Sequence, residues 1–409
     1  MKYPLFSSFL IVLFLVSPGY AQTPVTKWRG PDGNGVYPDK NLLKEWPEEG
    51  PEMLWTFENL GVGYSSPVFA HDRIFINGME DETGYVYALS KKGVLLWKAP
   101  YGLEYSVSYP GSRSSVNVAG DELYVLTGHG RLVCLRADNG KEIWHKDLFR
   151  SFDADNIQWG ITETVVIDGE VLYCTPGGRK NNVVALNRHN GDLLWSSPGK
   201  GDESAHCTPL LIDLPGRKLL VTMTANNILG LDAANGQLLW SHPQTNRYSI
   251  HANTPIYHDG AVYCFSGYGK GGVKLALNKD GSSITKKWFN ATMNSRIGGA
   301  VMVDGRIYGS GDTNREWQCI DWETGEQLFT SREVGNGAVI YADGMLYCYS
   351  ERGELALLEP KTDRFEVAGK TRVKLGSGQH WAHPVIDDGT LYVRHGNVLI
   401  AYDIKGQPR

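Results

Sequence analysis

One pattern returns along this chain too often to be local: a strand, a Gly turn and a second strand ending in Trp. It reads "ALSKKGVLLWKAP" from Ala88, "CLRADNGKEIWHKD" from Cys134, "ALNRHNGDLLWSSP" from Ala185, "GLDAANGQLLWSHP" from Gly230 and "CIDWETGEQLFTS" from Cys319. Taking the closing aromatic as a marker gives Trp55, Trp97, Trp144, Trp195, Trp240, Trp288, Phe329 and Phe365, at a mean spacing of about 44 residues. That period is the one expected of four-stranded propeller blades, each of which buries its apolar face only by stacking on its neighbours.

A second marker agrees with the first. Eight tight turns occur at 71–73, 120–122, 168–170, 215–217, 259–261, 304–306, 343–345 and 388–390, mostly as Asp-Gly. Such pairs supply the positive φ angles of a hairpin turn. Each is followed by an alternating β-branched or aromatic run such as "RIFI", "ELYV", "AVYC" or "TLYV". Every repeat therefore reads as strands A, B, C and D, with the turn between A and B and the Trp in D. The last repeat, "TLYVRHGNVLIAYDIKG", stops before a fourth strand, while a spare Trp strand, "PEMLWTF" from Pro51, stands ahead of the first. The spacing predicts an all-β, eight-bladed β-propeller of four-stranded antiparallel blades, closed by the N-terminal strand completing the last blade.

The repeat resembles that of the PQQ-like (pyrroloquinoline quinone) repeat family, whose docking motif runs Ala, Asp or Asn, Thr-Gly or Asn-Gly, then Trp. "ALNRHNGDLLW" and "GLDAANGQLLW" carry it closely, "LALNKDGSSITKKW" and "ALLEPKTDRFEV" loosely. "WRGPDGNGVYP" from Trp28 is similar to the opening of bacterial members of that family. The resemblance implies the architecture over essentially the whole chain from Trp28 onward. For enzymatic members it further implies PQQ with calcium, an adjacent Cys pair over the quinone, and Glu, Asn and Asp around the metal. Here there is no adjacent Cys pair, and Glu163 with Asn253 or Asn294 is a loose substitute for the metal set.

Residues 1–21 read as a secretory signal: Lys2, the apolar run "LFSSFLIVLFLV", then Gly19 and Ala21 at the −3 and −1 positions. Gln22 stands where a lipoprotein would carry Cys. Residues 22–409 then form a single domain, periplasmic or secreted, with no membrane insertion once the signal is removed. The formal net charge of −5 comes with no Lys/Arg block, which argues against a nucleic-acid partner. Of the six cysteines, Cys134, Cys174, Cys264, Cys319 and Cys348 sit among apolar strand residues, and Cys207 lies near a loop. They read as small buried hydrophobes rather than as a disulfide framework.

In a propeller the D-to-A connections converge on one mouth of the central channel, so function is expected just before each A strand. Registering the repeats on Pro67, Pro209, Pro255 and Pro384 brings His206, His251, His380 and His383 towards that mouth. Tyr64, Arg113, Trp159, Glu163, Tyr248, Asn253, Asn294, Arg296 and Trp381 join them. Histidine exchanges protons near neutrality, Arg clamps a carboxylate, and Tyr or Trp stacks on a ring. The set suits a small polar molecule or saccharide, a uronate included. In a lyase reading His206 or His251 is the base, Tyr248 the acid and Arg296 or Arg113 the clamp. No compact metal-ligand spacing, haem motif or phosphate loop is present; "SGYGKGG" from Ser266 reads as a B-to-C hairpin. A PQQ/calcium dehydrogenase and a non-catalytic envelope scaffold stand beside these readings, with catalysis and cofactor open.

Overall fold

A computed structural model describes residues 25–406, so the secretory signal expected over 1–21 lies outside the described residues. Eight sheets form, each with four antiparallel strands in the order A-B-C-D, and one carries an extra strand. Their innermost strands are, from blade 1 to blade 8, Val68–Ala70, Asn117–Ala119, Val166–Asp168, Leu210–Leu214, Ile256–His258, Ala300–Val303, Gly337–Ala342 and Val385–Asp387. A strands of neighbouring blades lie against one another in blades 1 and 2, 5 and 6, and 6 and 7, which places them at the axis. Only one α-helix occurs among the described residues, Leu148–Phe152, in the loop before blade 3. The expected closure is present: Glu52–Phe57 pairs antiparallel with Val398–Asp403 and becomes strand D of blade 8.

The recurrent Trp explains itself in the packing. In strand D, Trp97, Trp144, Trp195, Trp240 and Trp55 stand opposite Ala88, Cys134, Ala185, Gly230 and Ala401 of strand C, and a bulge follows in each case. The small partner leaves room for the indole, and the bulge turns it towards the next blade. There it covers the C-to-D turn. A Cβ at Gly93 would stand 2.5 Å from the Trp55 ring, and one at Gly191 would stand 2.9 Å from Trp144. Both glycines also have positive φ, so the turn needs them twice over. The indole Nε1 then donates to the adjacent blade: Trp55 to Lys91 O at 3.1 Å, Trp144 to Arg188 O at 2.8 Å, Trp195 to Ala233 O at 3.0 Å. Blade 7 departs from the expectation. Phe365 begins strand D instead of ending it, and the position opposite Leu357 is Gly369, over which Trp46 of the N-terminal segment packs. All six cysteines are unpaired and buried, as the apolar strand contexts suggested.

Two features of the channel wall were not foreseen. Two residues ahead of the A strands of blades 1 to 4 stands a hydroxyl belt, in which Ser66 N donates to Ser115 Oγ (3.0 Å), Ser115 N to Thr164 Oγ1 (3.1 Å) and Thr164 N to Thr208 Oγ1 (3.0 Å). By strand register the corresponding residues of blades 6, 7 and 8 are Gly299, Ala338 and His383. The chain also inserts its own N-terminal segment into the channel. Val25 bridges to Ala119, Arg29 donates to Ala300 O (2.6 Å), and Val36–Tyr37 adds a parallel strand on the axial side of Gly337–Ala342. The segment "WRGPDGNGVYP" is thus a channel insert. Arg29 is buried without a carboxylate partner, and desolvation brings its guanidinium down to about 10.

Candidate functional site

The D-to-A loops, residues 58–67, 104–116, 148–165, 198–209, 244–255, 291–299, 332–336 and 373–384, open on one mouth, together with the B-to-C turns. Two groups of partly exposed aromatic rings occupy this mouth. In one, Trp381 of blade 8's loop lies with its ring centroid 5.0 Å from Tyr64 and 5.0 Å from Tyr109. In the other, Tyr248 meets Trp159 at 5.9 Å and Tyr268 at 4.7 Å, both edge-on. One aromatic of the first group and two of the second, Tyr109 (φ 48°), Trp159 (φ 70°) and Tyr268 (φ 59°), sit in the left-handed backbone region. For bulky residues that conformation costs about 1–3 kcal/mol each and is held only by the surrounding structure.

The two arginines expected to act as clamps at this mouth are already committed. Arg113 donates through Nη1 to Trp159 O and through Nη2 to Ser108 O (2.9 Å) and Tyr109 O (2.8 Å), which ties the two aromatic groups together. Arg296 is paired with Glu351, and Asp312 lies 3.5 Å away. Neither guanidinium presents a free fork to a carboxylate. Glu163 is fully buried, accepts from Thr175 N at 2.7 Å, and has no cation beside it. Burial pushes its carboxyl up to about 8.

The four histidines all lie in D-to-A connections but do different things. His251 spends both ring nitrogens, on Ser266 Oγ (2.6 Å) and Ala225 O (3.2 Å). His380 stacks on His395 at 3.7 Å and bonds the Tyr349 hydroxyl. His383 faces inward to Ile297 O (2.7 Å), with Trp28 5.0 Å from its ring. His206, at φ 68°, bonds Thr162 Oγ1 at 3.1 Å and lines a cavity of about 240 Å³ with Gln158, Glu203, Arg247 and Tyr248. Burial lowers all four, to about 3 for His206 and His383 and to about 4 for His251 and His380, so they are neutral at pH 7.

Tyr64, Trp381, Trp159, Tyr248, Arg113 and His206 therefore share the mouth as the register implied. Asn253 and Asn294 do not face it openly. Asn253 joins blades 5 and 6 through Ser295 O (2.6 Å) and Gly299 N (3.1 Å), and Asn294 caps the turn at Asp312 and Thr313. Tyr109 and Tyr268 escaped the sequence reading because one lies in a loop of unmarked length and the other in the "SGYGKGG" hairpin. A Tyr flanked by Gly on both sides in a surface turn was the available signal.

Compared with protein-family models, the chain matches over residues 82–331 the one described as outer membrane protein assembly factor BamB. That stretch exceeds half of the chain. It belongs to this PQQ-like repeat family. No curated protein matches it. Among solved structures, BamB from Moraxella catarrhalis aligns at 13% identity over 87% of this chain and 98% of its own, with a TM-score of 0.62. A quinohemoprotein alcohol dehydrogenase from Comamonas testosteroni aligns at 12% identity over 95% and 82%, with a TM-score of 0.69. A europium-containing methanol dehydrogenase aligns at 13% identity over 92% and 90%, with a TM-score of 0.66. At such identities the PQQ-like likeness is one of fold. The calcium and quinone of the family's enzymes do not fit the residues present. Asn253 and Asn294 have their amides engaged by the main chain, Glu163 stands alone, and no group of three His, Cys, Asp or Glu among the described residues could hold an ion.

Proposed function

We propose that this PQQ-like propeller is an extracytoplasmic binding protein whose D-to-A mouth docks a neutral saccharide chain across its aromatic rim. The observation that carries the reading is the strained backbone at Tyr109, Trp159 and Tyr268, each within one of the two aromatic groups. Strain of this kind is retained where it positions a side chain for use. Flat rings with polar edges offer the apolar face of a sugar a stacking surface. The committed Arg113 and Arg296 favour a neutral sugar over a uronate. The depressed histidines favour binding over proton abstraction near neutrality. The apolar leader pattern before Gln22 supports the compartment.

A second reading has its own support in the family description: an envelope assembly scaffold, in which the same rim seats a polypeptide segment. Thermal-shift and calorimetric titration of the mature protein with neutral oligosaccharides, uronate oligosaccharides and an unfolded outer-membrane β-barrel precursor separates the two. Saturable binding of neutral oligosaccharides, weakened in Trp381→Ala and Trp159→Ala, supports the first. Binding of the precursor alone replaces it with the second. Export is tested separately, by fractionating cells that express the full chain.

A further inference from the structure

The opposite mouth of the channel, where the A-to-B turns lie, holds a larger cavity of about 440 Å³ that the D-to-A reading does not use. The N-terminal insert is tied to blade 2 at Val25 and to blades 6 and 7 at Arg29 and Val36–Tyr37, and it leaves a space between Val25–Gly33 and the lining residues of blades 2–5. Its volume falls in the range of small-molecule sites, roughly 300–1,000 Å³.

The chemistry of its wall is graded with depth. Deep in the channel, ahead of the A strands, stand Asn117, Thr164, Thr208 and Thr254. The Thr164 and Thr208 hydroxyls each accept a main-chain N–H of the belt, which leaves their own O–H to donate. The belt stops at Thr254, whose Oγ1 is buried without any partner among the described residues, and Asn117 Oδ1 is likewise buried and unpaired among them. An unpaired buried oxygen costs about 1–3 kcal/mol, so two on one cavity wall call for something that bonds them. Above them the wall is apolar, with Val165, Leu210 and the half-buried indole of Trp28. At the outer rim Lys218 is held by Asp168, with Asp213 3.6 Å away, so that cation is already neutralised.

From these features we infer that the A-to-B mouth is a second binding site, for a neutral hydroxylated ring of monosaccharide size. Hydroxyl donors and a carbonyl acceptor at the floor meet the ring's hydroxyls, and Trp28 offers a flat apolar face. Lys27 and Asp32, exposed on the same wall, are opposite in sign and so present no single-sign patch to a charged ligand. The inference does not rest on saccharide binding at the other mouth.

The test is calorimetric titration of the mature protein with glucose, galactose and N-acetylglucosamine, with glucuronate and glucosamine as charged controls. At least one neutral sugar is expected to bind saturably at one site, and the charged controls at least tenfold more weakly. Thr254→Val removes an oxygen that has no protein partner, so it should leave Tm unchanged or raised while weakening the sugar about tenfold; Thr254→Ser should restore binding. Trp381→Ala with Trp159→Ala should leave this binding intact, whereas loss in that variant with survival in Thr254→Val would move the sugar to the D-to-A mouth and overturn the inference. So would the absence of saturable heat with all three neutral sugars, or preferential binding of a charged control.

Discussion

Gly299 leaves the space that Arg29 occupies: a Cβ on the glycine would stand 2.7 Å from the centre of the guanidinium. The same glycine has φ +61°, a conformation that L side chains rarely adopt. Gly299→Ala is therefore expected to destabilise the protein by about 1–3 kcal/mol, through overpacking and backbone strain together. It should also loosen the N-terminal insert. Denaturant midpoints give the first quantity, and the rate of proteolytic cutting within residues 25–37 gives the second.

Arg113 joins the main chain of Tyr109 to that of Trp159, so its removal should affect both aromatic groups at once. Arg113→Met keeps most of the apolar stem and abolishes the charge-assisted hydrogen bonds, with an expected loss of about 2–4 kcal/mol. Saccharide affinity should fall at least as far as in either single tryptophan variant. Unaltered binding in a folded Arg113→Met protein would separate the rim from its function.

Trp381→Ala and Trp159→Ala are expected to lower affinity for a neutral oligosaccharide about tenfold each, equivalent to about 1.4 kcal/mol. The two lie in separate aromatic groups, and their effects should add. Titration of the single and double variants checks this; a double variant no weaker than a single one shows that only one group touches the ligand.

The pH dependence of stability follows from groups displaced in opposite senses. His206, His251, His380 and His383 are lowered to about 3–4 by burial, so the unfolded chain binds more protons than the folded one below its ordinary value of 6.5. Stability should fall as pH drops from 6.5 towards 4. Glu163, raised to about 8 by burial, acts on the other arm: the unfolded carboxyl ionises above 4.5 while the folded one stays protonated. Stability from this group is lost as pH rises from 4.5 to about 8. Glu163→Gln should match wild type near pH 4.5 and exceed it in Tm at pH 8, a difference that melting curves at the two pH values detect.

The architecture was legible because every blade repeats one physical problem. Trp97, Trp144, Trp195 and Trp240 must cross to a neighbour, and the small residue opposite and the Gly turn beyond are consequences that recur in sequence. The D-strand closure at Glu52–Phe57 could be read from a missing strand at one end and a surplus at the other. What escaped was whatever occurs once. Trp46 substitutes in blade 7 from a segment with no repeat pattern, and the insert around Arg29 is matched by Gly299, which looks like any other glycine in the sequence. The candidate site was legible as a location, since register puts His206, Trp159 and Trp381 on one mouth. Their chemistry was not, because the pairing of Arg296 with Glu351 and the burial of His251 depend on turns from other blades that no local spacing reveals.

The seam in blade 8 also sets a temporal order. Glu52–Phe57 stands ahead of all the other A, B, C and D strands in the chain, yet its sheet partner among the described residues, Val398–Asp403, follows them. Until the two strands pair, the ring stays open at the junction of blade 8 and blade 1, while the blades between them have both neighbours. The final snap that joins first strand to last is accordingly the step on which cooperative folding of this protein turns, and the long-range contact it requires makes it a slow one.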